Sequence, residues 1–120
     1  MTDLKIYDAA PADWKQLQQF TGTILSECGF DTEIEKTIET VRGKVQVDVY
    51  AERKKAFESK TICECKYWQS PVPQTIIHAF RTIISDTGAS QGFIISKAGF
   101  QKGAYEAIAS SNVSILSWEE

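Results

Sequence analysis

The chain has 120 residues, of which 42% are hydrophobic and 24% charged, the composition of a compact globular unit. A net charge of −3 weighs against a nonspecific nucleic-acid binder acting alone, since such proteins are ordinarily basic; it leaves room for a local basic patch, a second chain or an appended binding domain. No apolar run reaches bilayer length, the start Met1-Thr2-Asp3-Leu4-Lys5 carries no signal-peptide core, and three cysteines argue against a disulfide framework.

Pro11-Ala12-Asp13 reads as a helix start. From Trp14 to Cys28 the apolar residues Trp14, Leu17, Phe20, Ile24, Leu25 and Cys28 recur at helical spacing, and Gly29 supplies a stop. Phe30 to Val41 alternates and is rich in Thr and Ile, so a first strand is predicted there, with Gly43 turning the chain. Val45 to Ala51 is the second predicted strand; a period of two puts Val45, Val47, Val49 and Ala51 on one face and Asp48 on the other. The charged stretch Glu52 to Ser59 reads as a hairpin connection, and Thr61 to Trp68 as the third strand. In that strand Glu64 and Lys66 share one face, and Cys63, Cys65 and Tyr67 the other.

Ser70-Pro71-Val72-Pro73 breaks the pattern. A second helix is predicted from Pro73 to Asp86, with Ile76, Ile77, Phe80, Ile83 and Ile84 as its apolar face and Thr87-Gly88-Ala89-Ser90 closing it. Gly92-Phe93-Ile94-Ile95-Ser96 is short and nearly all apolar, the pattern of a strand buried on both faces. A third helix is predicted from about Gln101 to Ser110, ended by Asn112, and a last strand from Val113 to Trp118. The order αβββαβαβ predicts an α/β fold with a mixed sheet: an antiparallel meander, then a crossover helix and parallel pairing. With no repeat, linker or low-complexity stretch, residues 1–120 read as a single domain.

Two segments carry the chemistry. If the second and third strands are neighbours, Asp48, Glu64 and Lys66 converge on one side of a small sheet, and two carboxylates with a lysine are what a divalent-metal phosphodiesterase needs. The competing reading is a solvated strand face with a cross-strand salt bridge. Cys63 and Cys65 lack the C-x-x-C spacing and a histidine partner of a zinc site, so they read as buried reduced thiols of a cytoplasmic protein.

The ordered set Cys28-Gly29-Phe30, Val47-Asp48-Val49, Glu64-Cys65-Lys66, Gly92-Phe93-Ile94-Ile95-Ser96, Gly99-Phe100-Gln101-Lys102-Gly103-Ala104 and Asn112-Val113-Ser114-Ile115-Leu116 resembles the PD-(D/E)xK nuclease superfamily, and within it the Mrr-like restriction endonuclease family, over nearly the whole chain. The resemblance implies a restriction-endonuclease-like core and metal-dependent hydrolysis of DNA phosphodiesters in restriction or defence against foreign DNA. Asp48 and Glu64 would hold Mg2+ or Mn2+, with the Cys65 carbonyl as a third ligand. Lys66 would orient or deprotonate the attacking water and stabilise developing negative charge. Gln101, the first residue of a Gln101-x-x-x-Tyr105 match, could position water or phosphate at the third helix's N-terminus, with Lys97 and Lys102 as phosphate contacts. The chain departs from the superfamily pattern at Val47, where its name has Pro, and in the first helix, where Gln18 or Gln19 stands for an acid that relatives often carry.

Blander roles compete at each secondary position. Gln101 and Tyr105 suit a helix start and a packing aromatic, and Lys97 and Lys102 suit solubilising charges. His78 reads as structural, and Glu27 and Glu52 as solvated acids rather than extra metal ligands. Trp14, Trp68 and Trp118 read as packing or subunit-contact residues, with base stacking as an alternative for Trp68. A small acidic nuclease further implies a homo-oligomer or a fused recognition domain, with DNA as partner and no membrane. The alternative function is a catalytically weak nuclease-fold binding or assembly module; RNA or branched DNA is an alternative substrate.

Overall fold

The computed structural model describes residues 11–54 and 58–118. Its elements run α1 (Trp14–Glu27), β1 (Asp31–Thr40), β2 (Gly43–Arg53), β3 (Ser59–Lys66), α2 (Gln74–Thr87), β4 (Gln91–Ser96), α3 (Lys102–Ala107) and β5 (Val113–Ser117), in the order the sequence predicts. The sheet order is β1-β2-β3-β4-β5; β1, β2 and β3 are antiparallel, and β3, β4 and β5 parallel. Residues 55–57 of the predicted hairpin connection, the Met1–Lys5 start and Glu119-Glu120 lie outside the described residues.

Each helix is set by its own sequence signals. Asp13 caps α1, its carboxylate accepting from the Gln16 backbone N–H at 2.9 Å. Gly88 closes α2 in the left-handed region, φ 75°, where glycine carries no Cβ penalty. The third helix is shorter than predicted. Ser110 turns left-handed at φ 55°, and Ser111 Oγ donates to the Ile108 carbonyl and accepts from the Val113 N–H. Such side-chain bonds offer the backbone an alternative to continuing the helix.

Two apolar layers sandwich the sheet. On one face α1 brings Leu17 against Val49, Cys63 and Cys65. On the other, Ile77, Phe80 and Ile84 of α2 and Ala104 and Ala107 of α3 pack on Val47, Ile62, Ile94 and Val113. Gly92 lets α2 approach β4: a Cβ there would lie 2.5 Å from Ile84 Cδ1 and 2.6 Å from the Phe80 ring. Among the described residues no helix is long and apolar enough to cross a membrane.

The first hairpin corrects a prediction. Val45, Val47, Val49 and Ala51 do not share one face: Val47 packs in the α2 layer and Val49 in the α1 layer. Strand β1 does the same, with Ile34 in the α1 layer and Ile38 in the α2 layer. The inversion falls between the pairs Ile34–Val49 and Lys36–Val47, where Glu35 adopts a left-handed φ of 56°. An even spacing that ends on opposite faces requires such a local break in the pleat.

Candidate active site

Strand β2 pairs with β3 only from Val49–Cys63 to Arg53–Ser59. Beyond Val49, β2 stays with β1, while β3 runs on beside β4 to the pair Lys66–Ser96. The two strands therefore fork, and Asp48 stands in the fork because the inversion turns it there. Its Oδ2 accepts from the Cys65 backbone N–H at 2.8 Å, satisfying a donor that the ladder would otherwise use. Reciprocally, the Asp48 backbone N–H donates to the Glu64 carboxylate. Lys66 Nζ lies 3.5 Å from Glu64 Oε2, with both side chains largely buried at 21% and 15% exposure. Asp48, Glu64 and Lys66 are thus brought together at the carboxyl end of the central strand.

Burial raises Glu64 from 4.5 to about 7, and the Asp48 charge adds to that; Lys66 and the Asp48 N–H pull the other way. Burial also raises Asp48, against the Cys65 N–H, Lys66 and the Gln18 side chain. Neighbouring buried carboxylates that resist ionisation are what a bound cation would relieve. The thiols do not join them: Cys65 Sγ is directed to Thr21 Oγ1 at 3.7 Å, and burial pushes Cys63 up to about 12. Cys63, Cys65 and the exposed Cys28 are all free thiols. An oxygen-only pair of carboxylates fits a hard divalent cation, whose other positions water, backbone carbonyl and phosphate can fill. Among the described residues no group of three or more His, Cys, Asp or Glu side chains is arranged to hold a metal.

Between Gln18 and Gln19 the structure decides: Gln19 is exposed, whereas Gln18 is 4% exposed and hydrogen-bonds Asp48. Its burial inside the α1 stripe, among residues spaced for packing, is the signal that picks it out. Glu52 and Glu27 do not supplement the pair. Glu52 stands about 13 Å along β2 from Asp48 and pairs with Lys54; Glu27, exposed, ends α1 about 14 Å from Gln18.

The remaining candidates leave the sheet at the same end. Lys97 follows Ser96, its N–H donating to the Lys66 carbonyl at 3.1 Å, and its ammonium rests over the Tyr67 ring, 4.5 Å from the centroid. Gln101 and Lys102 are exposed, and a parallel bridge between Val72 and Phe100 fixes their loop, with the Gln101 N–H donating to Val72 O at 2.9 Å. Gln101 is the N-cap of α3, which at six residues makes less than two turns and so offers only a weak dipole to an anion. Tyr105 is 54% exposed, edge-on to Phe100 at 6.2 Å. His78 is exposed on α2, Trp14 is 48% exposed, and Trp118 packs on Phe20 at 5.9 Å.

The family model Mrr_cat, described as restriction endonuclease, matches residues 9–120. The fold is similar to a protein of unknown function, AF1548, with TM-score 0.76 and 20% identity over 89% of this chain and 59% of that one. It is also similar to a repair endonuclease from Pyrococcus abyssi (TM-score 0.55, 18% identity, 91% of this chain and 46% of that one). A third is the DNA modification-dependent restriction endonuclease AspBHI (TM-score 0.57, 10% identity, 99% and 38%). At these identities the likeness shows the fold alone, and the chain spans between 38% and 59% of those solved chains. No curated protein matches the sequence.

Proposed function

The chain belongs to the Mrr_cat restriction endonuclease family, and from that premise we propose that residues 1–120 form one nuclease domain hydrolysing DNA phosphodiester bonds with Mg2+ or Mn2+. The observation that carries this reading is the fork itself, where the Asp48 carboxylate accepts from the Cys65 backbone N–H, the Glu64 carboxylate from the Asp48 N–H, and Lys66 stands against Glu64. A divalent ion bound there would lower the pKa of a bound water and offset charge on the reacting phosphate. Asp48 and Glu64 supply the side-chain ligands, and the Cys65 carbonyl is the proposed third. Lys66 orients the attacking water and offsets charge growing on the phosphoryl oxygens. Gln101 is proposed to steer water or phosphate through its side chain, and Lys97 and Lys102 to contact phosphates flanking the cut. Restriction or defence against foreign DNA is the proposed setting, in a homo-oligomer or beside a fused recognition domain.

The test is cleavage of plasmid and single-stranded DNA in Mg2+ or Mn2+ by wild type, Asp48→Ala and Lys66→Ala. Cutting that depends on the ion and drops about 100-fold or more in each variant is expected, the scale of losing one charge-stabilising group. Folded wild type that cuts neither DNA in either ion would overturn the reading. One observation favours a second reading, a nuclease-fold binding or assembly module: the buried partner of Asp48 on α1 is the neutral Gln18, which leaves two acids at the fork.

A further inference from the structure

Lys66 meets a second group besides Glu64. Glu64 and Lys66 share a face of β3; Trp68 lies two residues past the strand's end, and the Lys66 ammonium sits 5.3 Å from the centroid of its ring. Trp68 is 36% exposed and belongs to neither core layer. The ammonium is bracketed between a carboxylate at 3.5 Å and an aromatic face.

The two contacts differ in what a bound cation does to them. A lysine stem carries about 2 kcal/mol of rotamer entropy, so an ammonium needed at one place has to be restrained. Glu64 restrains it while its carboxylate is unshared. On the nuclease reading, on which this inference rests, a divalent ion occupies that carboxylate and competes with Lys66 for its charge. The indole has no such competitor, because the ring quadrupole attracts an ammonium whether or not the carboxylates are loaded. We infer that Trp68 is a positioning residue for the reaction: its indole face keeps the Lys66 ammonium beside Glu64 when the metal takes the carboxylates. The neighbouring pair is arranged differently. Lys97 rests on Tyr67, whose hydroxyl donates to the Pro11 carbonyl at 3.0 Å, so that ring is tied to the start of α1 and away from Glu64.

The experiment compares wild type, Trp68→Ala, Trp68→Leu and Trp68→Phe in the full chain. With Mg2+ and a cut plasmid, kcat is expected to fall about fivefold in Trp68→Ala and Trp68→Leu, the rate equivalent of one cation–π contact, with KM within about twofold. Trp68→Phe, which keeps a ring face, recovers most of kcat; Trp68→Leu, which fills space without one, does not. The second readout needs no cleavage: by NMR the Lys66 ε-methylene protons are shifted upfield by the ring current, remain so on adding Mg2+, and lose the shift in Trp68→Leu. Wild-type kcat in Trp68→Leu, a rise in KM alone, or a ring-current shift that Mg2+ abolishes would each overturn the inference. A rise in KM alone would make Trp68 a base-stacking platform instead. If wild type cuts nothing while the shift survives Mg2+, the nuclease reading fails and the restraint on Lys66 stands.

Discussion

Glu64 is an acid that the fold discourages from ionising. In the unfolded chain it titrates near 4.5; folded, burial first and Asp48 second raise it to about 7. Below pH 4.5 both states hold the proton, and the site does not oppose folding. As pH rises through 7, the folded chain must carry a buried charge that the unfolded chain carries in water, so stability is lost across that window. Asp48, also raised by burial, acts in the same direction. The melting temperature of metal-free protein is therefore expected to decline between about pH 4.5 and 7, and Glu64→Gln to flatten the decline. Added Mg2+ above that window should raise the melting temperature of wild type more than that of Glu64→Gln. Thermal melts across the range check both, and equal pH profiles for the two proteins would contradict the assignment.

The β1–β2 hairpin is the element where alternation fails. Asp31 to Thr40 reads as an ordinary strand, yet Glu35 is left-handed and the layers exchange faces around it. A non-glycine residue in that region costs about 1–3 kcal/mol, more when β-branched. Glu35→Gly is therefore expected to leave stability unchanged or raise it by up to about 1 kcal/mol, despite glycine's poor strand propensity. Glu35→Ile, the better strand former by propensity, is expected to lower it by about 2 kcal/mol. Denaturant midpoints for the pair decide the matter; a stabilising isoleucine would mean that the hairpin does not turn over at Glu35. The inversion also explains Asp48: a residue between two faces can point along the sheet, into the fork, where a regular strand would have aimed it at one layer.

For the molecule as a whole, charge sets the terms of any DNA contact. The chain is −3 overall, and the cations at the active end are Lys66, Lys97 and Lys102. If all three contacted phosphates at about 0.9 counterion each, the slope of log affinity against log salt would reach at most about −3, shallow for a DNA-binding protein. Lys102→Ala is expected to make that slope shallower by about 1, while Lys97→Ala, whose ammonium already rests on Tyr67, changes it less. Salt titrations of binding to a labelled duplex, run in Ca2+ to slow cutting, measure it; an unchanged slope in Lys102→Ala would remove that lysine from the interface.

The sequence by itself determined the element order, the apolar face of α2, the buried β4 and the placing of Asp48, Glu64 and Lys66 on strands adjacent in the chain. Each follows from short-range periodicity, or from an acid and a Glu-x-Lys on strands adjacent in the chain. It did not determine that Val47 and Val49 face opposite layers, because a single left-handed residue in the partner strand inverts the pleat without changing the pattern of residue types. Nor did it choose Gln18 over Gln19, since both neighbours lie on the first helix and only packing against β2 says which is buried. The six-residue α3 and the Lys66–Trp68 contact were likewise settled in three dimensions, the first by the Ser111 hydroxyl competing for backbone bonds and the second by where β3 ends. Local preference wrote the strands and helices; the fork that joins the acids exists only because β2 and β3 part company to follow different neighbours.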